Sequence, residues 1–118
     1  MEKIDALSAL AALAQDNRLD VFRLLVRAGG KGMPAGAVAE ALDLAPNTLT
    51  FHFDKLRHAG LVSCKRDGRS LIYAARYETM NGLLAYLTEN CCAGVGDACG
   101  LPQCRPATPK RKKAKAPA

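Results

Sequence analysis

The chain has 118 residues, 49% of them hydrophobic, which sets an expectation of one domain with one core. Its net charge of +6 comes from 17 Lys and Arg against 11 Asp and Glu, but the charge is unevenly placed. Residues 105–118 hold six bases and no acid, so residues 1–104 are neutral overall. No apolar run reaches the ~18 residues that a membrane-spanning helix requires. The apolar stretch Ile4 to Ala14 is interrupted by Asp5 and Ser8 and reads as an amphipathic helix rather than a secretory segment. A reducing cytoplasm is the expected compartment, where five cysteines serve metal or redox chemistry sooner than structural disulfides.

The first predicted helix places Ile4, Leu7, Leu10, Ala11 and Ala14 at helical spacing. Asp16 is the expected N-cap of a second helix, which carries Leu19, Phe22, Leu25 and Val26 on one side. Gly29, Gly30 and Gly32 end it. Pro34 opens a third helix, with Val38, Ala41 and Leu42 apolar. After the turn Asp43-Leu44-Ala45, Pro46 takes the first position of a fourth helix. Its buried stripe is Leu49, Phe53 and Leu56, and Gly60 stops it.

Two strand-like runs follow, Leu61 to Arg66 and Arg69 to Arg76. They are separated by Asp67-Gly68, a strong hairpin signal. A fifth helix is predicted over Tyr77 to Asn90, with Met80, Leu83, Leu84 and Leu87 as its stripe. Residues 91–104 carry Gly, Pro and Cys without periodicity, and 105–118 read as a disordered basic tail. The expected organisation is therefore a helical domain with a β-hairpin over 1–90, a cysteine-rich segment over 91–104, and the tail. The class is mainly α.

Helix, short turn, helix and hairpin is the order of a winged helix-turn-helix, whose second helix enters the major groove of double-stranded DNA. A rotation of about 100° per residue puts Asn47, Phe51, Asp54 and His58 opposite Leu49, with Thr48, Thr50, Lys55 and Arg57 on the flanks. Base-edge contacts are expected from Asn47, Thr48, Thr50 and Phe51. Asn pairs with adenine, Thr with several edges, and Phe packs on a thymine methyl. Phe51 against the wing or a neighbouring helix is the plainer alternative. His52 borders the buried stripe and is expected to pack or to contact a phosphate, as Lys55 would. Residues 45–76 hold six bases against two acids, whereas 1–44 and 77–104 are net acidic. Lys65, Arg66 and Arg69 flank the hairpin tip and suit phosphate or minor-groove contact.

These motifs resemble the ArsR/SmtB family of metalloregulatory repressors. Leu13 to Leu25 (LAQDNRLDVFRLL) is similar to the family's second-helix signature. Val38 to Val62 is similar to its helix-turn-helix, and Lys65 to Arg76 (KRDGRSLIYAAR) to its wing. The resemblance implies a dimer that occupies an operator, is released by metal, and pairs through its first and last helices. Leu7, Leu10, Met80, Leu83, Leu84 and Leu87 are then the expected interface. The family's third-helix cysteine site is absent, since Pro34-Ala35-Gly36 stands there. Its zinc site between the last helices is also absent, since the fifth helix has no His. Ala45 replaces the usual Ser at the recognition-helix cap.

Four of the five cysteines, Cys91, Cys92, Cys99 and Cys104, fall within fourteen residues just past the last helix. Some arsenic sensors of the family place their thiols similarly. A vicinal pair with a third thiol on a loop suits three-coordinate As(III) or Sb(III), whose lone pair takes the fourth direction. Soft thiolates also select soft ions. Cys91, Cys92 and Cys99 are the expected ligands, with Cys104 as the substitute for Cys99. A four-thiolate zinc site, a zinc- or cadmium-responsive switch, and a redox switch through a disulfide such as Cys92–Cys99 remain open readings. Cys64, alone on the wing, is expected to be a small buried residue. No nucleophile–base–acid set, phosphate loop or paired-carboxylate cleft is present to suggest an enzyme.

Overall fold

The structure, a computed structural model, describes residues 1–91. Residues Met1–Leu83 form one compact unit, and the chain from Leu84 onward is described by itself. The elements are α1 (Lys3–Leu13), α2 (Asp16–Ala28), β1 (Met33–Pro34), α3 (Ala35–Leu42), α4 (Pro46–His58), β2 (Val62–Asp67), β3 (Ser70–Ala75) and α5 (Tyr77–Leu87). This is a winged helix-turn-helix, mainly helical with a small antiparallel sheet.

The core gathers Val21, Phe22 and Leu25 of α2, Val38 of α3, Leu49, Phe53 and Leu56 of α4, and Leu61, Val62, Tyr73 and Ala75 at the sheet. The predicted stripe of α4 is thus the buried one. On α1 the burial is inverted relative to side-chain size. Ala6, Ala9 and Ala12 face the chain's own core, and their small side chains let the helix approach closely. Ile4 and Leu7 stay 75% and 57% exposed. On α2, Leu19 is exposed and Val21 buried, so the stripe is rotated from the expected one.

Capping explains most boundaries. The N-cap of α2 is Gln15, not Asp16. The Gln15 backbone is extended and its Oε1 accepts from the Arg18 N–H at 2.9 Å. Asp16 instead becomes the first helical residue, where its carboxylate faces the positive end of the helix dipole. Arg18 Nε donates to the Ala12 carbonyl at 2.7 Å, satisfying an orphan acceptor at the end of α1. Ala45 caps α4 with no side-chain hydrogen bond, and Pro46 occupies the first turn. At the other end Leu61 N–H reaches the Leu56 carbonyl (3.0 Å) and Gly60 N–H the Arg57 carbonyl (2.9 Å). With Gly60 at φ +78°, this is a Schellman motif that seals α4 and aims the chain into β2.

The hairpin is displaced by one residue from its expected turn. Asp67 pairs with Ser70, so Gly68 and Arg69 form the two-residue loop, with positive φ at Gly68 only. That is the requirement of a turn with Gly at its first central position. The sheet also has a third strand that hydrophobic alternation did not reveal. β1 pairs with β3, Met33 opposite Tyr73 and Pro34 opposite Ile72, giving the order β1-β3-β2. Pro34 consequently caps α3 rather than opening it. Gly32 permits this junction, because its φ is +74° and a Cβ there would run into the Tyr73 carbonyl. The fifth helix ends at Leu87, three residues short of the expected Asn90, which adopts a left-handed φ of 58°.

Candidate nucleic-acid interface

Burying Leu49, Phe53 and Leu56 turns the opposite face of α4 outward. Asn47, Thr48, Thr50 and Phe51 are all exposed at its N-terminal end. Thr50 Oγ1 donates back to the Pro46 carbonyl at 3.0 Å. Its proton is committed, so its oxygen is left as an acceptor, suited to an amino group on a base edge. Phe51 is 54% exposed, with the Lys55 ammonium 5.3 Å from its ring centroid. The cation shields one side of the ring and leaves an apolar surface beside a positive charge. Phe51 also meets the His52 ring edge-on at 5.7 Å. Further along, Arg57 and Asp54 form an exposed bridge of 3.6 Å.

His52 does not belong to this face. It is only 5% exposed, its Nδ1 is buried without a hydrogen-bond partner, and it packs with the core. Of the two expected roles, packing is the one its position allows. Burial, and next the nearby Arg18 charge, lower its pKa below the ordinary 6.5, so it is a neutral core residue.

The wing supplies the charge. Lys65, Arg66 and Arg69 are exposed on β2 and at the hairpin loop. Successive strand residues point to opposite faces, so Lys65 and Arg66 present cations on both sides of the hairpin. What fixes the wing to the recognition helix is Tyr73, a residue the sequence did not single out. Its ring lies parallel to Phe53, with centroids 3.6 Å apart and planes within 4°. Tyr73 is also opposite Cys64 in the ladder. Burial first, then the neighbouring Cys64 thiol, push the Tyr73 phenol up to about 12. Cys64, expected to be buried, is half-buried opposite Tyr73.

Comparison with known proteins agrees with this geometry. Residues 13–64 match a model described as a helix-turn-helix domain. The uncharacterised helix-turn-helix transcriptional regulator YceK of Bacillus subtilis is 33% identical over 78 residues, covering 66% of this chain and 77% of YceK. Among solved structures, an ArsR-like transcriptional regulator from Rhodococcus sp. RHA1 superposes with a TM-score of 0.65 at 26% identity. That match covers 76% of this chain and 81% of the other. NolR from Sinorhizobium fredii superposes with a TM-score of 0.58 at 32% identity, covering 72% and 82%. The chain belongs to the ArsR family of winged helix-turn-helix transcriptional regulators.

In this ArsR-family regulator the exposed N-terminal end of α4 and the basic wing lie in the same compact unit. The expected interface residues divide into two sets. Leu7, Leu10, Leu84 and Leu87 are exposed, and Met80 is half-buried. Leu83 is buried within its own chain and is not available to a partner, a correction to its expected role. Of the thiols, Cys91 is half-buried, and its N–H bonds the Thr88 carbonyl at 3.0 Å. Cys92, Cys99 and Cys104 lie outside the described residues. Among the described residues no group of three or more His, Cys, Asp or Glu could hold a metal, and no helix is long and apolar enough to cross a membrane.

Proposed function

We propose that the protein is a dimeric repressor whose α4 reads an operator and whose cysteine cluster releases it when As(III) or Sb(III) binds. The observation that carries the DNA half is the α4 surface. Asn47, Thr48, Thr50 and Phe51 stand exposed at the helix N-terminus, where recognition helices meet base edges. Lys55 and the wing residues Lys65, Arg66 and Arg69 supply phosphate contacts that fix register without reading sequence.

The dimer half rests on α1. A helix that packs with alanines and leaves Ile4, Leu7 and Leu10 in water has its larger apolar side uncovered. A second copy is the occupant implied by the family resemblance, with Leu84 and Leu87 joining from α5. Two copies place two recognition helices on successive half-sites, about one helical turn of DNA apart.

The inducer half rests on thiol chemistry. Cys91 follows α5 closely in sequence, and Cys92 and Cys99 complete a set of three soft ligands. Arsenous acid reacts with three thiols to form three As–S bonds and three waters, with no redox change. Drawing Cys99 toward Cys91 reshapes the end of α5 and alters the spacing of the paired recognition helices. A coupling of about 1–3 kcal/mol is enough for useful derepression. Zinc or cadmium binding, or disulfide formation, would use the same thiols.

The test begins with duplexes selected from a random library by the full-length protein. Fluorescence anisotropy then follows the selected duplex as arsenite, zinc or peroxide is added. Release by arsenite, lost in Cys91→Ser and Cys92→Ser, is expected. Release by arsenite in both variants sinks the ligand assignment, and release by peroxide alone favours the redox reading.

A further inference from the structure

A cavity of about 330 Å³ opens between the C-terminal half of α1, the start of α2 and the C-terminal half of α4. Its floor is alanine, and its polar lining is Ser8, Arg18, Lys55 and His58. No carboxylate lines it. Two fixed cations, Arg18 and Lys55, and the His58 imidazole therefore meet here with no carboxylate in the lining. Neither of the two ion pairs among the described residues involves Arg18 or Lys55.

Two of the three groups are already held in place. Arg18 Nε is tied to the Ala12 carbonyl at 2.7 Å, which leaves the guanidinium's outer N–H fork for a ligand. His58 Nδ1 lies 2.7 Å from the Asp54 carbonyl. A carbonyl can only accept, so Nδ1 carries the proton and Nε2 is left as an acceptor, able to take a hydrogen bond from the P–OH of a phosphate. Lys55 lines the cavity while its ammonium sits over Phe51. A charge-assisted bond to an anion outcompetes an exposed contact with a ring face.

We propose that this cavity binds a phosphate-bearing anion, with the Arg18 fork donating to its oxygens, His58 Nε2 accepting from its P–OH, and the Ser8 hydroxyl and the Lys55 ammonium closing on it. Its volume is at the small end for ligand pockets, which fits a phosphate ester with a short organic group. Phosphate is offered by free esters and by the DNA backbone. His58 lies about 16 Å along α4 from Asn47 at 1.5 Å per residue, far from the base-reading end, which favours a free ester. Occupancy then draws Lys55 away from Phe51, a link to DNA that rests on the operator-binding reading.

The test uses the full chain and inorganic phosphate, with chloride at matched ionic strength as the control. NMR follows the His58 imidazole and the Ser8 and Ala11 amides. Saturable shifts with phosphate but not chloride are expected, weakened at least tenfold in His58→Ala. Arg18→Lys, which keeps the charge and loses the fork, is expected to weaken them as well. A second arm measures affinity for a random-sequence duplex. Unchanged affinity in His58→Ala assigns the site to a free ester. Weaker duplex binding in His58→Ala, with phosphate competing against the duplex, assigns it to a backbone phosphate. No phosphate-specific shift together with unchanged duplex affinity overturns the proposal. The first arm contains no DNA, so its failure is distinct from failure of the operator-binding reading.

Discussion

Phe51 and Phe53 are two residues apart on one helix, and replacing each with Ala should have opposite consequences. Phe53 is 1% exposed and lies flat against Tyr73. Removing its ring leaves a cavity and frees the wing from α4, at a cost of about 3–5 kcal/mol. Phe51 is already more than half in water. Its loss forfeits an exposed contact with Lys55 of about 0.5–1 kcal/mol, partly offset by the higher helix propensity of Ala. Net stability should change by no more than about 0.5 kcal/mol. On DNA the order reverses. Losing one base-edge contact costs about 1–3 kcal/mol, roughly a five- to 150-fold loss of operator affinity. Urea unfolding at fixed protein concentration measures the first effect, and anisotropy on a selected duplex the second. Replacing thymine by uracil in that duplex should weaken the wild type and leave Phe51→Ala indifferent at the contacted position. If Phe51→Ala is stable and binds the operator like wild type, the outward face of α4 is not the reading surface. A Phe51→Ala protein destabilised as much as Phe53→Ala would show that the orientation of α4 is wrong.

Other consequences follow from particular residues. Because burial lowers the His52 pKa, the folded chain resists a proton that the unfolded chain accepts from about 6.5 downward. Stability is therefore fully present above that pH and falls as pH drops through the folded value. Urea midpoints at about pH 7.5 and about pH 5.5 should diverge in the wild type and converge in His52→Gln. Ala45→Ser should stabilise the fold by about 0.5–2 kcal/mol, since the Ala45 backbone has the extended geometry of a cap and lacks only the side-chain acceptor. A rise in Tm without change in operator affinity checks it. Deleting 105–118, with its six bases, should weaken binding to all duplexes alike and flatten its salt dependence, leaving operator preference and arsenite response intact.

Much of the fold was legible because α-helical punctuation is local. Pro46, Gly29 and Gly60 mark boundaries that the structure keeps, and the spacing of Leu49, Phe53 and Leu56 fixes which face of α4 is buried. From that face alone the outward Asn47, Thr48, Thr50 and Phe51 follow. What was not legible depends on partners distant in sequence. β1 is two residues long, too short for alternation to register, and exists only because β3 offers it a ladder. Tyr73 looks like any strand aromatic until the hairpin folds it onto Phe53. His52 sits at the margin of the buried stripe, where helical spacing cannot separate packing from contact. On α1 spacing located the apolar stripe but not its destination. The alanines, not the leucines, face inward, because close approach to α2 and α4 excludes larger side chains. On α5 the buried residue is Leu83, which removes it, and not Leu7 or Leu10, from the set open to a partner.

The claim that joins thiols to operator release is tested most directly in one cuvette. The full-length protein, bound to a fluorescent selected duplex, is titrated with arsenite while thiolate-to-arsenic absorption and anisotropy are read together. Both signals should saturate together at one arsenic per chain, and Cys91→Ser should abolish both. Saturation of the absorption band with the duplex still bound would contradict the account.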